Sequence, residues 1–249
     1  PIVFESEPGT YCVPERAEYV DTYCWAQNET STGVQAPVYR IDGSREQGAL
    51  IAIDATSAAG AIPVDISQTD VYYFSPQKAF GPAAIQRAEG IKRSCALEGA
   101  RRWIPPFLSL TSAIDNSLKN QTLNTPSIST LVLLGEQVKW LNENGGMAWS
   151  AARCKRSSDI VYAWAERSAY ARPFVTNVDA RSQSVVTIDL DDSVPQAYVT
   201  AALRDNGIVD VNGYRKLGRN QLRIGVFPSV EPSDVEALLA CIDYVVEHM

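Results

Sequence analysis

Apolar positions are spread unevenly along the chain, and residues 1–24 show no clear periodicity. The first legible element is the unbroken apolar run Ala49-Leu50-Ile51-Ala52-Ile53, which ends at Asp54. Such a run predicts a strand covered on both faces, as in a parallel sheet. Val71-Tyr72-Tyr73-Phe74 is a second run of this kind, closing at Ser75-Pro76-Gln77-Lys78. A helix follows, with Thr125 as N-cap and Pro126 in the first helical position. Ile128, Leu131, Leu134, Val138 and Leu141 recur at helical spacing until Gly145-Gly146 stops the pattern. A second helix is expected from about Trp149 to Ala165. Strand and helix then alternate. Ser184–Leu190 is expected as a strand and Pro195–Asn206 as a helix ended by Gly207. Leu222–Phe227 is a further strand, and Pro232–Glu247 a helix opened by the capping box Ser233-x-x-Glu236. The change of pattern places a domain boundary near residue 150, giving an α/β unit over 1–150 and a smaller unit over 151–249. Tyr72, Tyr73 and Trp103 are read as core.

Composition narrows the chemistry. An apolar content of 45% over 249 residues is enough for a sizeable core. The 22 basic and 29 acidic residues leave a net charge of −7, which argues against a nucleic-acid partner. No apolar stretch or leader pattern suggests a membrane span or a secreted chain. Cys12, Cys24, Cys95, Cys154 and Cys241 are odd in number and lack C-x-x-C spacing, so they read as reduced thiols of a cytoplasmic protein. His248 is the single histidine, which excludes Ser-His-Asp and Cys-His nucleophile systems within these residues. Catalysis would then rest on Lys, Asp, Arg or a cofactor. Ligands of open α/β sheets gather at the carboxyl ends of strands, where Asp54 and Lys78 are expected. A carboxylate there needs a cation or several donors, and a desolvated lysine amine is suited to Schiff-base formation. The plainer reading of position alone is that the two sit in solvent or pair with each other.

The local words are more specific. Asn28-Glu29-Thr30-Ser31-Thr32-Gly33-Val34, Ile53-Asp54-Ala55-Thr56-Ser57 and Ser75-Pro76-Gln77-Lys78-Ala79-Phe80-Gly81 occur in this order. Asn120-Gln121-Thr122-Leu123-Asn124-Thr125-Pro126 and Tyr214-Arg215-Lys216-Leu217-Gly218-Arg219-Asn220-Gln221-Leu222-Arg223 follow. Together they resemble the phosphoserine aminotransferases in their actinobacterial form, class-V members of the fold-type I pyridoxal 5'-phosphate enzymes. The resemblance implies the second half of a mostly parallel large domain (1–150), then a small α+β C-terminal domain (151–249). It implies ping-pong amino transfer between glutamate and 3-phosphohydroxypyruvate, giving 2-oxoglutarate and phosphoserine for serine biosynthesis, by a homodimer.

The same resemblance assigns roles. Lys78 would carry the cofactor and move a proton between substrate Cα and cofactor C4′, while Asp54 keeps the ring nitrogen protonated. Thr30 and Gln77 match cofactor-contacting positions. Asn124 and Thr125 match a pair that reaches the cofactor phosphate of the neighbouring subunit. Arg223 would hold the substrate α-carboxylate, with a structural salt bridge as the alternative. Arg215, Lys216 and Arg219 form a basic cluster for the substrate phosphate, where the commoner family pattern has a His-Arg pair. Which of the three acts is open, as is an ordinary solvated cluster.

Two parts of the family pattern are missing. One is the N-terminal segment with its phosphate-cradling turn and stacking tryptophan. The other is an internal segment after Gly81, where Pro82-Ala83-Ala84-Ile85 reads as the start of a helix. The expectation is a longer chain with residues left out. The rivals are an alanine–glyoxylate aminotransferase, a cysteine desulfurase, and a non-catalytic fragment or binding module of the same fold. No cysteine is marked as a mobile nucleophile, and the joint presence of Asp54, Gln77 and Lys78 speaks for a ligand.

Overall fold

The computed structural model describes residues 1–75, 77–80, 85–86, 103–106 and 109–249, with backbone alone at 85–86. Its first strand, β1 (Thr22–Ala26), precedes a short hairpin of β2 (Asn28–Glu29) and β3 (Val34–Gln35). After a single helical turn, α1 (Ser44–Gln47), come β4 (Leu50–Asp54), β5 (Val71–Phe74) and the two-residue β6 (Ile85–Gln86). The sheet order is β1-β4-β5-β6, with β1, β4 and β5 parallel and β6 antiparallel at the edge. Ile85 is therefore in a strand and not in the helix expected there. The expected internal omission after Gly81, residues 82–84 and Cys95 lie outside the described residues.

In this register Ala26 lies beside Asp54, and Asp54 beside Tyr73. Paired residues point to the same face, so Tyr23, Trp25, Ile51, Ile53 and Tyr72 project together into a buried core. Each aliphatic side chain buried there is worth roughly 1.5–3 kcal/mol. The opposite face, with Ala52, Asp54 and Tyr73, is half-buried. The apolar runs suggested cover on both faces, and among the described residues the cover is complete on one. β1 was not anticipated, because Thr22-Tyr-Cys-Trp-Ala alternates in burial without alternating clearly in polarity.

A helix α2 (Leu110–Ser117) leads to α3 (Ile128–Glu143) and α4 (Gly146–Arg167). α3 starts after Ser127, two residues later than the cap expected at Thr125, and the Ser127 hydroxyl is bonded to those of Ser129 and Thr130. Of its periodic apolar residues only Leu134 and Leu141 are buried; Ile128, Leu131 and Val138 are exposed. Trp103, expected in the core, is 84% exposed.

The C-terminal part is an antiparallel sheet, β7 (Ala171–Pro173), β8 (Val185–Leu190) and β9 (Gln221–Gly225), in the order β7-β8-β9. α4, α5 (Gln196–Asp205) and α6 (Pro232–Glu247) supply its apolar cover through Val161, Trp164, Val199, Leu203, Leu239 and Ile242. α6 spans the residues expected, but its N-cap is Glu231 and no side chain caps it. Pro232 lacks an N–H and has its φ preset, so it takes the first helical position and the Ser233 box does not form. α4 joins the two cores. Its Ser150 hydroxyl donates to the Gly60 carbonyl and Cys154 packs in the first core, whereas Val161 and Trp164 pack in the second. The boundary drawn at residue 150 falls in the first turns of this helix. No helix among the described residues is long and apolar enough to cross a membrane.

A polar seam also ties the halves together. Thr187 Oγ1 donates to the Thr32 carbonyl at 2.6 Å, Ser184 Oγ to the Ser57 carbonyl at 2.6 Å, and the Ser182 N–H to the Gly33 carbonyl at 3.0 Å. Gly33 sits at φ 69°, and a Cβ there would lie 2.8 Å from Thr187 Oγ1 and 2.9 Å from the Val185 carbonyl, so only glycine lets the hairpin approach β8.

Burial makes the protein sensitive to alkali. Desolvation pushes the Cys154 thiol from 9.0 up to about 12, and raises the Tyr72 and Tyr162 hydroxyls above the usual phenol range. Above pH 9 the unfolded chain releases protons that the folded chain retains, so stability falls as pH rises. Denaturant titrations are expected to show that decline starting near pH 9, and Cys154→Ala is expected to make it shallower up to about pH 12.

Candidate active site

The carboxyl ends of β1, β4 and β5 form one edge. β1 runs into Gln27 and the β2–β3 hairpin, β4 ends at Asp54, and β5 passes into the turn that carries Gln77 and Lys78. Several contacts fix these connections. The Gln27 N–H donates to the Asp54 carbonyl at 2.9 Å, and the Ala55 N–H to the Tyr73 carbonyl at 2.8 Å. The buried Gln27 side chain accepts from Tyr72 Oη at 2.8 Å and donates to the Pro63 carbonyl at 3.0 Å. Gly60, at φ 81°, allows Ala79 and Phe80 to close on the backbone, since a Cβ there would lie 2.6 Å from the Phe80 ring and 2.8 Å from Ala79 Cβ. The turn that bears Lys78 is thus seated against the segment that follows Asp54.

Ser57 is the hub of the edge. Its hydroxyl accepts from Asn28 Nδ2 at 2.8 Å and from Thr30 Oγ1 at 2.7 Å, and donates to the Asn28 carbonyl at 3.2 Å. Thr30 is held half-buried by this network, and the Asn28 Oδ1 atom is buried without a partner. Asp54 accepts from the Thr56 N–H at 2.9 Å, a turn that orients the carboxylate. Burial, reinforced by the neighbouring Cys24 and Asp54 side chains, drives the Tyr73 hydroxyl above the usual phenol range.

Arg223, on β9, is brought to this edge. Its Nη1 donates to the Thr30 carbonyl at 3.5 Å, and its guanidinium lies 5.7 Å from the Tyr214 ring centre. An arginine in an apolar strand requires a carboxylate, and none of the described residues places one within 4.0 Å of it. Arg215 and Lys216 line the same cavity as Arg223, a space of about 860 Å³. Arg219 is used differently. It forms a two-pronged pair with Asp189 at 3.1 and 2.5 Å and stacks 4.6 Å from the Phe174 ring centre, and the bonds to Asp189 raise its pKa. Asn124 and Thr125 are exposed in the loop before α3, where the Asn124 carbonyl accepts from Thr122 Oγ1 at 2.6 Å.

The edge therefore joins Asp54, Thr30, Gln77 and Lys78 and extends to Arg223, while Asn124 and Thr125 belong to another surface. Asn28, Ser57 and Tyr214 were present in the recognised words but not singled out, because their roles depend on contacts between distant segments. The set fits pyridoxal phosphate. Lys78 has no carboxylate partner and Asp54 no cationic one among the described residues, and hydroxyls and an orphaned amide oxygen lie beside them.

Comparison with known proteins agrees. The aminotransferase class-V family model matches residues 15–215. A phosphoserine aminotransferase of a Nocardioides strain is 49% identical over 254 aligned residues, covering 100% of this chain and 68% of that protein. One of Rhodococcus opacus is 50% identical, again covering 100% of this chain and 68% of the relative. The crystal structure of a Cytophaga hutchinsonii phosphoserine aminotransferase superposes with a TM-score of 0.80 at 25% identity, over 97% of this chain and 67% of that one. Two structures at 19% identity share the fold. Alanine–glyoxylate aminotransferase of a Nostoc species has a TM-score of 0.77 over 91% of this chain and 62% of its own. The PLP-bound phosphoserine aminotransferase of Trichomonas vaginalis has 0.73 over 92% and 62%. The edge that carries Asp54 and Lys78 lies within the matched residues, and the chain belongs to the class-V aminotransferases.

Proposed function

We propose that the protein is a phosphoserine aminotransferase, moving an amino group between glutamate and 3-phosphohydroxypyruvate with pyridoxal phosphate as cofactor. The observation that carries this reading is an amine and a carboxylate, Lys78 in the turn after β5 and Asp54 at the end of the adjacent β4, neither with an ion-pair partner among the described residues, with Arg223, likewise without one among them, bonded into the same edge through Thr30. The relatives and their names support it. Bound pyridoxal phosphate supplies an electron sink for the bond-breaking step at the substrate α-carbon.

The chain's own residues do the rest. The Lys78 amine would hold the cofactor and would carry a proton to and from the substrate α-carbon. Asp54, fixed by the Thr56 N–H, keeps a proton on the ring nitrogen through its negative charge. Thr30 and Gln77 would contact the cofactor, and Arg223 would receive the α-carboxylate common to both substrates as a bidentate pair. The unpaired cysteines Cys12, Cys24, Cys154 and Cys241 support a cytoplasmic setting.

Borohydride reduction of the cofactor-loaded protein, followed by peptide mapping, is expected to fix the cofactor on the peptide containing Lys78. Lys78→Ala is expected to lower amino transfer by about 10²–10⁴-fold. Trapping on another lysine would overturn this assignment, and amino transfer from alanine in preference to phosphoserine would favour the alanine–glyoxylate rival. Arg223→Lys removes the planar fork and is expected to raise KM for glutamate and phosphoserine alike by roughly 10–100-fold. A change confined to one of the two substrates would refute the carboxylate role.

The reading includes a homodimer. α3 presents Ile128, Leu131, Val132, Leu133 and Val138 to solvent, an apolar surface that a second copy would cover. The exposed Asn124 and Thr125 lie just before it, and on this reading they would serve the other subunit's cofactor phosphate. Leu131→Asp with Leu133→Asp is expected to shift the protein to monomer in sedimentation velocity and to weaken cofactor retention. An unaltered dimer would remove α3 from the interface.

A further inference from the structure

Ser57 is fully buried just beyond Asp54, and its hydroxyl is saturated. A serine hydroxyl has one proton and two lone pairs. Here the proton goes to the Asn28 carbonyl at 3.2 Å, one lone pair accepts from Asn28 Nδ2 at 2.8 Å, and the other accepts from Thr30 Oγ1 at 2.7 Å. The Ser57 carbonyl is held as well, by Ser184 Oγ at 2.6 Å across the seam, so the residue is fixed through both backbone and side chain. The consequence falls on Thr30. Its hydroxyl proton is committed to Ser57, so lone pairs are all that this oxygen has left for a ligand. Asn28 Oδ1, buried and without a hydrogen-bond partner among the described residues, is a second acceptor in the same network. The side chains of Asn28 and Thr30 both direct their donors at Ser57, and neither has its acceptor filled by it.

We propose that Ser57 is a positioning residue, which by holding the Thr30 proton makes Thr30 an acceptor toward an N–H or O–H of the bound cofactor and its attached amine. This rests on the pyridoxal phosphate reading and on Thr30 as a cofactor contact. A phosphate dianion offers acceptors only, so a Thr30 without a free proton has nothing to give it. The ring nitrogen is assigned to Asp54. What remains is the side of the ring where the nitrogen attached to the cofactor and the neighbouring ring oxygen share one proton. An acceptor beside that proton favours its retention. A Thr30 released from Ser57 turns its own proton toward the same atoms and favours the deprotonated state instead. Ser57 thus acts through the direction of one hydroxyl and touches neither substrate nor cofactor.

The test is a spectroscopic pH titration of the full-length protein loaded with pyridoxal phosphate, reading the midpoint of its visible absorbance band. Ser57→Ala is expected to lower the midpoint by about one pH unit, and Thr30→Val by about half as much, because valine removes the acceptor without supplying a donor. In the double variant the midpoint is expected to equal that of Thr30→Val, since Ser57 then has no hydroxyl to direct. A merely structural role for Ser57 would not vanish in the Thr30→Val background. Ser57→Cys keeps the shape with a weak acceptor, is expected to fall between wild type and Ser57→Ala, and serves in both comparisons should Ser57→Ala fail to fold. A midpoint unmoved or raised in the Ser57 variants, or additive shifts in the double variant, would overturn the proposal while leaving the cofactor in place. A wild-type protein that forms no visible band with pyridoxal phosphate would overturn the cofactor reading, and this one with it.

Discussion

The structure depends on a buried seam of hydroxyl-to-carbonyl hydrogen bonds. Thr187 to Thr32 and Ser184 to Ser57 join the C-terminal sheet to the segments that follow β1 and β4, and all four residues are buried. A buried hydroxyl or carbonyl left unpaired costs about 1–3 kcal/mol, so a sliding displacement between the halves would be penalised at several points together. The apolar contacts along α4 set how strongly the halves adhere, whereas the seam sets in which register. Because Ser57 lies both in the seam and at the centre of the Asn28–Thr30 network, the register of the halves is also the register of the active site.

Charge matching separates structural from functional residues. The well-shielded arginines outside the site have carboxylate partners: Arg40 with Asp70 at 2.8 Å, Arg153 with Glu231 at 2.6 Å, and Arg181 with Glu166 at 2.5 Å. Arg219 follows the same rule with Asp189. Arg223 has no such partner among the described residues, although it is half-buried in a strand. Desolvating a guanidinium without a partner is unfavourable, and it is tolerated where a ligand completes the pair. Asp54 is the complementary case, a half-buried carboxylate that accepts from the Thr56 N–H, lies beside the Tyr73 hydroxyl and has no cationic partner among the described residues.

Much of this was legible in the sequence where periodicity and local words coincide. β4, β5, β8, β9, α5 and α6 were anticipated to within a residue or two, since each couples a long apolar pattern to Gly or Pro punctuation. β1 was not, because Tyr23 and Trp25 are flanked by Cys24 and Thr22 and the alternation of burial does not show in residue type. Helix starts were displaced where two capping chemistries compete, as at Thr125 against Ser127 and at Pro232 against Ser233. The surface positions of Trp103 and Ile128 were missed because hydrophobic pattern reports a buried face without saying what buries it. The separation of Arg219 from its neighbours Arg215 and Lys216 was beyond reach, for it depends on Asp189, 30 residues away on the adjacent strand.

Gly33 and the bonds around it also bear on how one site serves two substrates in turn. The lysine-bearing turn stands on the first half and Arg223 on the second, so the seam holds the span between them constant. In any α-amino acid or its keto counterpart the reacting carbon and the carboxylate are joined by a single bond, whatever the side chain. If Lys78 and Arg223 act as proposed, a rigid span is a gauge that every correct substrate satisfies identically. On the proposed roles of Lys78 and Arg223, discrimination is left to the far end of the molecule. The glycine that admits the hairpin to β8 thus serves as the fixed jaw of a calliper, several residues removed from anything that touches substrate.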